Sequence, residues 1–200
     1  MATNNLISIK QWTAITELVI DHVEGGYYHP SMLKNFNARS QAILAASGET
    51  LFGLDRKAGA ALAKYPEWAT FWAAVDADRK VNPSLWKYQY RGGKLESKLK
   101  QLAAAIMYQW FNYLSKKYIL VGSMDEIAND SRLLSHFSYA SWNGEGWFKR
   151  YATALNKAIQ LYEGNKEKIF QEAFKARSEA PSKAIRQQAV NMQPIFKKLA

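Results

Sequence analysis

The sequence predicts a mainly helical fold with room for at most a small β-hairpin. Apolar residues recur at three- and four-residue spacing over most of the 200 positions. Glycine and asparagine mostly punctuate these stretches rather than interrupt them. Only two short stretches suit an extended chain: Leu51-Phe52-Gly53-Leu54, readable as a strand or a tight turn, and Trp86-Lys87-Tyr88-Gln89-Tyr90-Arg91, a strand or an extended loop.

Each element has a local reason. Ser8 suits the N-cap of a first helix in which Trp12, Ile15, Val19 and Val23 share a face, and Gly25-Gly26 stops it. A loop with Pro30, Asn35 and Asn37 follows, then a helical patch around Ala42–Ala46. Pro66 opens a helix to Lys80 with Trp68, Phe71, Trp72 and Val75 inward, and Asn82-Pro83 breaks it. Lys94–Tyr118 is apolar nearly all round its middle, which predicts a long, buried central helix. Met124–Ser141 reads as one further helix, and Trp147–Tyr162 as the next, after Asn143-Gly144-Glu145-Gly146. Lys166–Arg177 and Pro181–Leu199 form two more, and Pro194 should kink or shorten the last. The composition shifts after Gly164, so the expected division is 1–163 for the main domain and 164–200 for basic amphipathic helices packed on it or appended to it.

Composition limits the function classes. A hydrophobic fraction of 48% with 22% charged residues fits a globular chain and argues against extensive disorder. The formal charge of +10 favours polyanionic partners such as nucleic acid, anionic lipid or cell-wall polymers. With no cysteine, neither a disulfide framework nor a thiolate metal site can form. His22, His29 and His136 show no metal-ligand spacing, and neither a phosphate-binding glycine loop nor a nucleophile elbow occurs. No metal or cofactor is expected. The N-terminus lacks a basic start followed by an apolar run, and Leu102–Leu114 falls short of the roughly 20 apolar residues of a spanning helix. The expectation is a soluble monomer made in the cytoplasm.

Two short segments carry the chemistry. Glu24-Gly25-Gly26-Tyr27 closes the first helix, and Gly48-Glu49-Thr50-Leu51-Phe52-Gly53-Leu54 follows a loop. Their order resembles lysozyme-like muramidases of phage and bacteria, most closely the subgroup with Glu-Gly-Gly-Tyr and a later Gly-Gly-x-Thr-x-x-Gly, family 108 of the glycoside hydrolases. Asn143-Gly144-Glu145-Gly146 stands where such enzymes have Asn-Gly-x-Gly after their long helix. The likeness spans about residues 8–162 in layout and two short motifs in detail. It implies an α+β lysozyme-like fold, a hairpin beside the active-site cleft, and a peptidoglycan hydrolase of phage-endolysin or virion-associated type, released through a holin or carried on the particle. The family's Asp-Pro is absent: His29-Pro30 follows Tyr28, and no Asp lies between Glu24 and Thr50.

Glycoside hydrolysis needs a protonated acid at the leaving oxygen and usually a second group across the sugar. Glu24 suits the acid, since Ile20 precedes it by one turn and a helix C-terminus disfavours negative charge. Glu49 is the nearest second carboxylate, as base or electrostatic stabiliser, and Asp55 is next. Thr50 would hold a water. Tyr27, Tyr28 and Trp142 offer stacking faces for sugar rings, and Asn143 a substrate contact. The plainer alternatives are a solvated helix-end glutamate, a capping carboxylate and aromatics that only pack a core. A lytic transglycosylase with Glu24 alone, a non-enzymatic basic binder of wall, virion or nucleic acid, and a degenerate lysozyme-like domain are the competing functions. From Lys166 to Ala200, eight Lys and Arg face three Glu, which suits either ordinary wet helices or an anionic outer-membrane surface. No nucleic-acid fold motif occurs, so nucleic acid ranks below the wall.

Overall fold

The computed structural model describes residues 6–24, 26–29, 38–57, 61–86 and 93–199. Among them the chain is mainly helical with a small antiparallel sheet, as the spacing predicts. In chain order the elements are α1 (Ile9–Val19), β1 (Tyr27–Tyr28), α2 (Ala38–Ser47), β2 (Thr50–Leu51), β3 (Leu54–Asp55), α3 (Pro66–Val81), α4 (Glu96–Tyr118), α5 (Val121–Asn129), α6 (Ser131–Trp142), α7 (Glu145–Leu161), α8 (Lys166–Ser178) and α9 (Lys183–Leu199). The extended stretch expected over 86–91 lies outside the described residues beyond Trp86, which closes a 3₁₀ turn from Pro83. No described helix is long and apolar enough to cross a membrane.

Contacts divide the chain into two compact units, residues 1–23 with 107–200, and residues 24–106. The basic helices read from residue 164 onward lie within the first unit.

The first unit is built around α6. Its residues Leu133–Ser141 are all buried, so it is enclosed on every side. Small side chains permit that approach, and their hydroxyls are satisfied locally. Ser141 Oγ donates to the Phe137 carbonyl at 3.0 Å, Ser135 Oγ to the Arg132 carbonyl at 2.9 Å, and Ser138 meets Thr16 of α1 at 3.0 Å. The long helix α4 is buried through its middle, as its apolar composition predicts: none of residues 102–112 is exposed, and Ala103, Ala104, Ile106, Met107, Trp110 and Phe111 are all buried, while Gln101 and Lys116 stay exposed. The single helix expected over 124–141 is two. Asp130 ends α5 in extended conformation and caps α6, accepting from the Arg132 and Leu133 amides at 2.8 and 3.3 Å. Ser8 caps α1 as expected, accepting from the Gln11 amide at 3.1 Å.

Pro194 does not end α9, which continues to Leu199. Beyond the proline, Ile195 and Phe196 are buried, and Phe196 packs edge-on against Phe170 and Phe174 at 5.1 and 5.0 Å. That burial outweighs the lost backbone hydrogen bond. A buried guanidinium ties the C-terminal helices to the rest of the unit. Arg177 of α8 donates to His136 Nδ1 at 3.3 Å, Asn143 Oδ1 at 2.9 Å and Gln188 Oε1 at 2.9 Å, with the rings of Tyr139 and Tyr151 each 4.5 Å away.

The second unit packs α3 and the sheet over Tyr27, Leu51, Leu54, Phe71, Trp72, Val75 and Trp86, all buried. The strand order is β1-β2-β3, antiparallel throughout.

Candidate active site around the three-stranded sheet

The sheet begins one turn after Glu24. α1 passes into a π-helical turn over Ile20–Glu24, an arrangement that is rare and often marks functional positions. Glu24 is half-buried at its end.

The β2–β3 connection fixes what the sheet presents. Phe52 and Gly53 both have positive φ, 51° and 72°, which makes a two-residue turn of the kind whose twist matches a hairpin. A phenylalanine there is strained, and its complete burial offsets the cost. The turn pairs Leu51 with Leu54 and Thr50 with Asp55, while β1 pairs Tyr27 with Leu51 and Tyr28 with Thr50. Pairing continues beyond the strands, the Arg56 amide donating to the Glu49 carbonyl at 2.8 Å and the Lys57 amide to that of Ser47 at 3.1 Å. Gly48 is required in this ladder: its φ is +75°, and a Cβ there would lie 2.9 Å from Lys57 Cβ.

Side chains alternate across such a ladder, so the sheet has two unlike faces. One carries Tyr27, Leu51 and Leu54 into the core. The other carries Tyr28, Thr50 and Asp55. On that polar face Thr50 Oγ1 donates to Asp55 Oδ1 at 2.7 Å, while Tyr28 is 36% exposed.

Glu49 belongs to the core side and is not grouped with Thr50. Its Oε1 accepts from the Tyr27 hydroxyl at 2.9 Å and from Arg79 Nη1, and its Oε2 accepts from Arg56 Nη1 at 2.8 Å. Asp76 completes the cluster, accepting from both Arg56 nitrogens at 2.8 and 2.6 Å and from Arg79 at 2.9 Å. Arg56 also lies over the Trp72 ring at 5.0 Å. Burial pushes the Tyr27 hydroxyl up to about 12, and the Arg56 guanidinium holds the Asp76 carboxyl below the usual carboxylate range. Both oxygens of Glu49 are thus engaged in anchoring the hairpin to α3. Tyr27 is likewise a buried core residue, edge-on to Trp86 at 4.8 Å, which removes it as a stacking platform. Tyr28 keeps an accessible ring. Of the segment from Tyr28 to Ser47, expected as a loop forming part of the cleft, residues 38–47 are the helix α2 and residues 30–37 lie outside the described residues.

Trp142 and Asn143 belong to the other unit. Trp142 is half-buried at the end of α6, and Asn143 closes that helix and receives Arg177. Asn143, Gly144, Glu145, Gly146, Trp147 and Arg150 line a depression of about 330 Å³. Lys117 at 2.5 Å and the Tyr118 hydroxyl hold Glu145 at its edge. Among the described residues, no cluster of three or more His, Asp or Glu has the arrangement of a metal site.

The residues that spacing alone missed are Asp76 and Arg79, distant in sequence from the hairpin, and the pairing of Thr50 with Asp55. Only the last had a signal, since a two-residue turn at Phe52-Gly53 sets that register. No protein-family model, curated protein or solved structure matches this chain.

Proposed function

We propose that the chain cleaves the glycan strand of bacterial peptidoglycan, with Glu24 as general acid. The carrying observation is the order Glu24, then a small antiparallel sheet whose polar face sets Tyr28 beside Thr50. The acid gives its proton to the glycosidic oxygen as the bond to the anomeric carbon breaks, and a water held at Thr50 supplies the hydroxyl. Tyr28 offers its ring to a sugar face. In the other unit, Trp147, Asn143 and Arg150 around the depression combine an aromatic face with hydrogen-bonding groups, a lining suited to a saccharide.

The test is Glu24→Gln against purified sacculi, with muropeptide analysis of the products. The variant should release no fragments while keeping its fold by circular dichroism. New reducing ends at muramic acid identify a hydrolase, and anhydro ends a lytic transglycosylase. Full activity in Glu24→Gln would refute the reading.

A second role draws on α9, where Lys183, Arg186, Lys197 and Lys198 are all exposed and no acid occurs between Lys183 and Leu199. Such a surface suits an anionic envelope layer. Its binding to anionic vesicles should fall steeply between 50 and 300 mM salt, as the screening length shortens from about 14 to about 6 Å.

A further inference from the structure

We propose that the corner between α4 and α5 docks on an anionic lipid leaflet: Leu120 and Val121 enter its acyl boundary, and the lysines of α4 and α7 behind them meet its phosphate groups.

Local rules oppose both apolar residues. Leu120 is the N-cap of α5 and makes no side-chain cap hydrogen bond, at a position that favours Ser, Thr, Asp or Asn. Val121 is the first helical residue, where an acid or a proline suits better. Neither residue supplies core in exchange. Leu120 is 54% exposed and Val121 90%, more than any other large hydrophobic among the described residues. A chain that gives up a cap without gaining burial is answering to something outside its own fold.

The corner is held in place from within. Ile119 before it is buried. Asn156 of α7 clamps the backbone, its Nδ2 donating to the Tyr118 carbonyl at 3.1 Å and its Oδ1 accepting from the Leu120 amide at 3.4 Å. On the other side of Val121, a Cβ added to Gly122 would meet nothing within 4 Å, so space lies open beside the tip.

Charge selects the partner. Behind the tip, α4 ends in Lys116 and Lys117, and α7 carries Lys149, Arg150 and Lys157, all exposed. No acid occurs between Glu96 and Asp125. The acid of α7, Glu145, is already bound by Lys117 and the Tyr118 hydroxyl. Asp125 and Glu126 begin a full turn of α5 behind Val121, so the tip itself carries no negative charge. Lys117 lies 6.0 and 5.3 Å from the rings of Tyr113 and Tyr118, and Tyr113 is 43% exposed. Aliphatic residues in front with tyrosines and lysines behind match the order in which a leaflet presents acyl chains and headgroup phosphates. A nucleic acid would use the same cations but offers Leu120 and Val121 nothing apolar to enter.

The full chain has no cysteine, so Val121→Cys can carry a single environment-sensitive fluorophore. On vesicles of phosphatidylglycerol and phosphatidylcholine, that label should shift to the blue and be quenched by spin-labelled acyl chains. The same label at Val190→Cys, 60% exposed on α9, tests the other basic surface: a change there with none at position 121 would assign docking to α9 and overturn the proposal. Val121→Asp places a favoured residue at a helix start, so the fold should hold while vesicle affinity falls about tenfold or more. Lys116→Gln should lower it about fivefold. Unchanged affinity in Val121→Asp refutes the proposal, as does a wild-type chain that leaves anionic vesicles alone or prefers duplex DNA to them. Muropeptide release from lipid-free sacculi is a separate readout, so docking and glycan cleavage stand or fall independently.

Discussion

Truncating Glu49 to alanine tests whether that side chain is the anchor of the hairpin. The carboxylate side chain is 5% exposed and accepts three hydrogen bonds, from Tyr27, Arg79 and Arg56. Breaking a buried ion pair from one side costs about 3–5 kcal/mol, and a buried hydroxyl left without its acceptor about 1–3 kcal/mol. Both arginines, however, are about a third exposed at 37% and 30%, and both keep Asp76. Their loss is therefore partly refunded by solvent and by the remaining carboxylate. Tyr27 also keeps a donor in Arg79 at 3.3 Å. The expected cost is about 3 kcal/mol for Glu49→Ala and roughly half that for Glu49→Gln, which keeps an acceptor for Tyr27. Urea denaturation followed by tryptophan fluorescence reads this directly, because Trp72 lies under Arg56 and Trp86 against Tyr27. A loss below about 1 kcal/mol for the alanine variant would refute the anchoring role.

Three further outcomes follow from other parts of the molecule. His136 is fully buried and, through that burial and the nearby Arg177 charge, has its proton affinity held well below 6.5, so the fold keeps it neutral where the unfolded chain takes up a proton. Stability of the first unit should hold above pH 6.5 and fall by up to about 1.4 kcal/mol per pH unit below it, a slope that His136→Gln should flatten in pH-dependent melts. Gly48→Ala should cost about 2 kcal/mol in the same denaturation assay, since its φ of +75° and the Lys57 contact at 2.9 Å both oppose a Cβ; no change would mean the ladder can shift. Pro194→Ala should stabilise by about 2 kcal/mol by restoring an α9 hydrogen bond at an exposed position, and a fall in melting temperature would contradict that.

Helices were legible where one side of the chain is apolar at helical spacing. α3 and α7 fall within one or two residues of the positions their spacing predicts, whereas α1 ends at Val19 and the chain reaches the expected stop through the π-helical turn Ile20–Glu24. Three features rest on physics that spacing does not encode. Asp130 looked like one more exposed polar residue in a helical run, because a cap differs from a surface position only in backbone conformation. The serines of α6 hid its enclosure, since small hydroxyl residues read as polar until their partners are known. Pro194 argued for a kink or an early end, and the packing of Phe196 accompanies a helix that runs past it to Leu199. Part of the candidate site could be read from order alone, since Glu24, Thr50 and the glycines between them lie within thirty residues. Which way Glu49 and Thr50 point depends on strand alternation and on a turn at Phe52-Gly53 that no Asn-Gly announces. The arginine and aspartate that claim Glu49 come from α3, some thirty positions on.

Arg177 has a practical bearing on how this chain can be dissected. It joins α8 to the end of α6 through Asn143, to α7 through Tyr151 and to α9 through Gln188. A chain cut after residue 163 would therefore lose the guanidinium and its partners together and should not survive as a folded, trimmed chain. The surface contribution of the last helix has to be probed by reversing Lys183, Arg186, Lys197 and Lys198 to acids in the intact molecule. Deletion would report collapse and be mistaken for loss of binding.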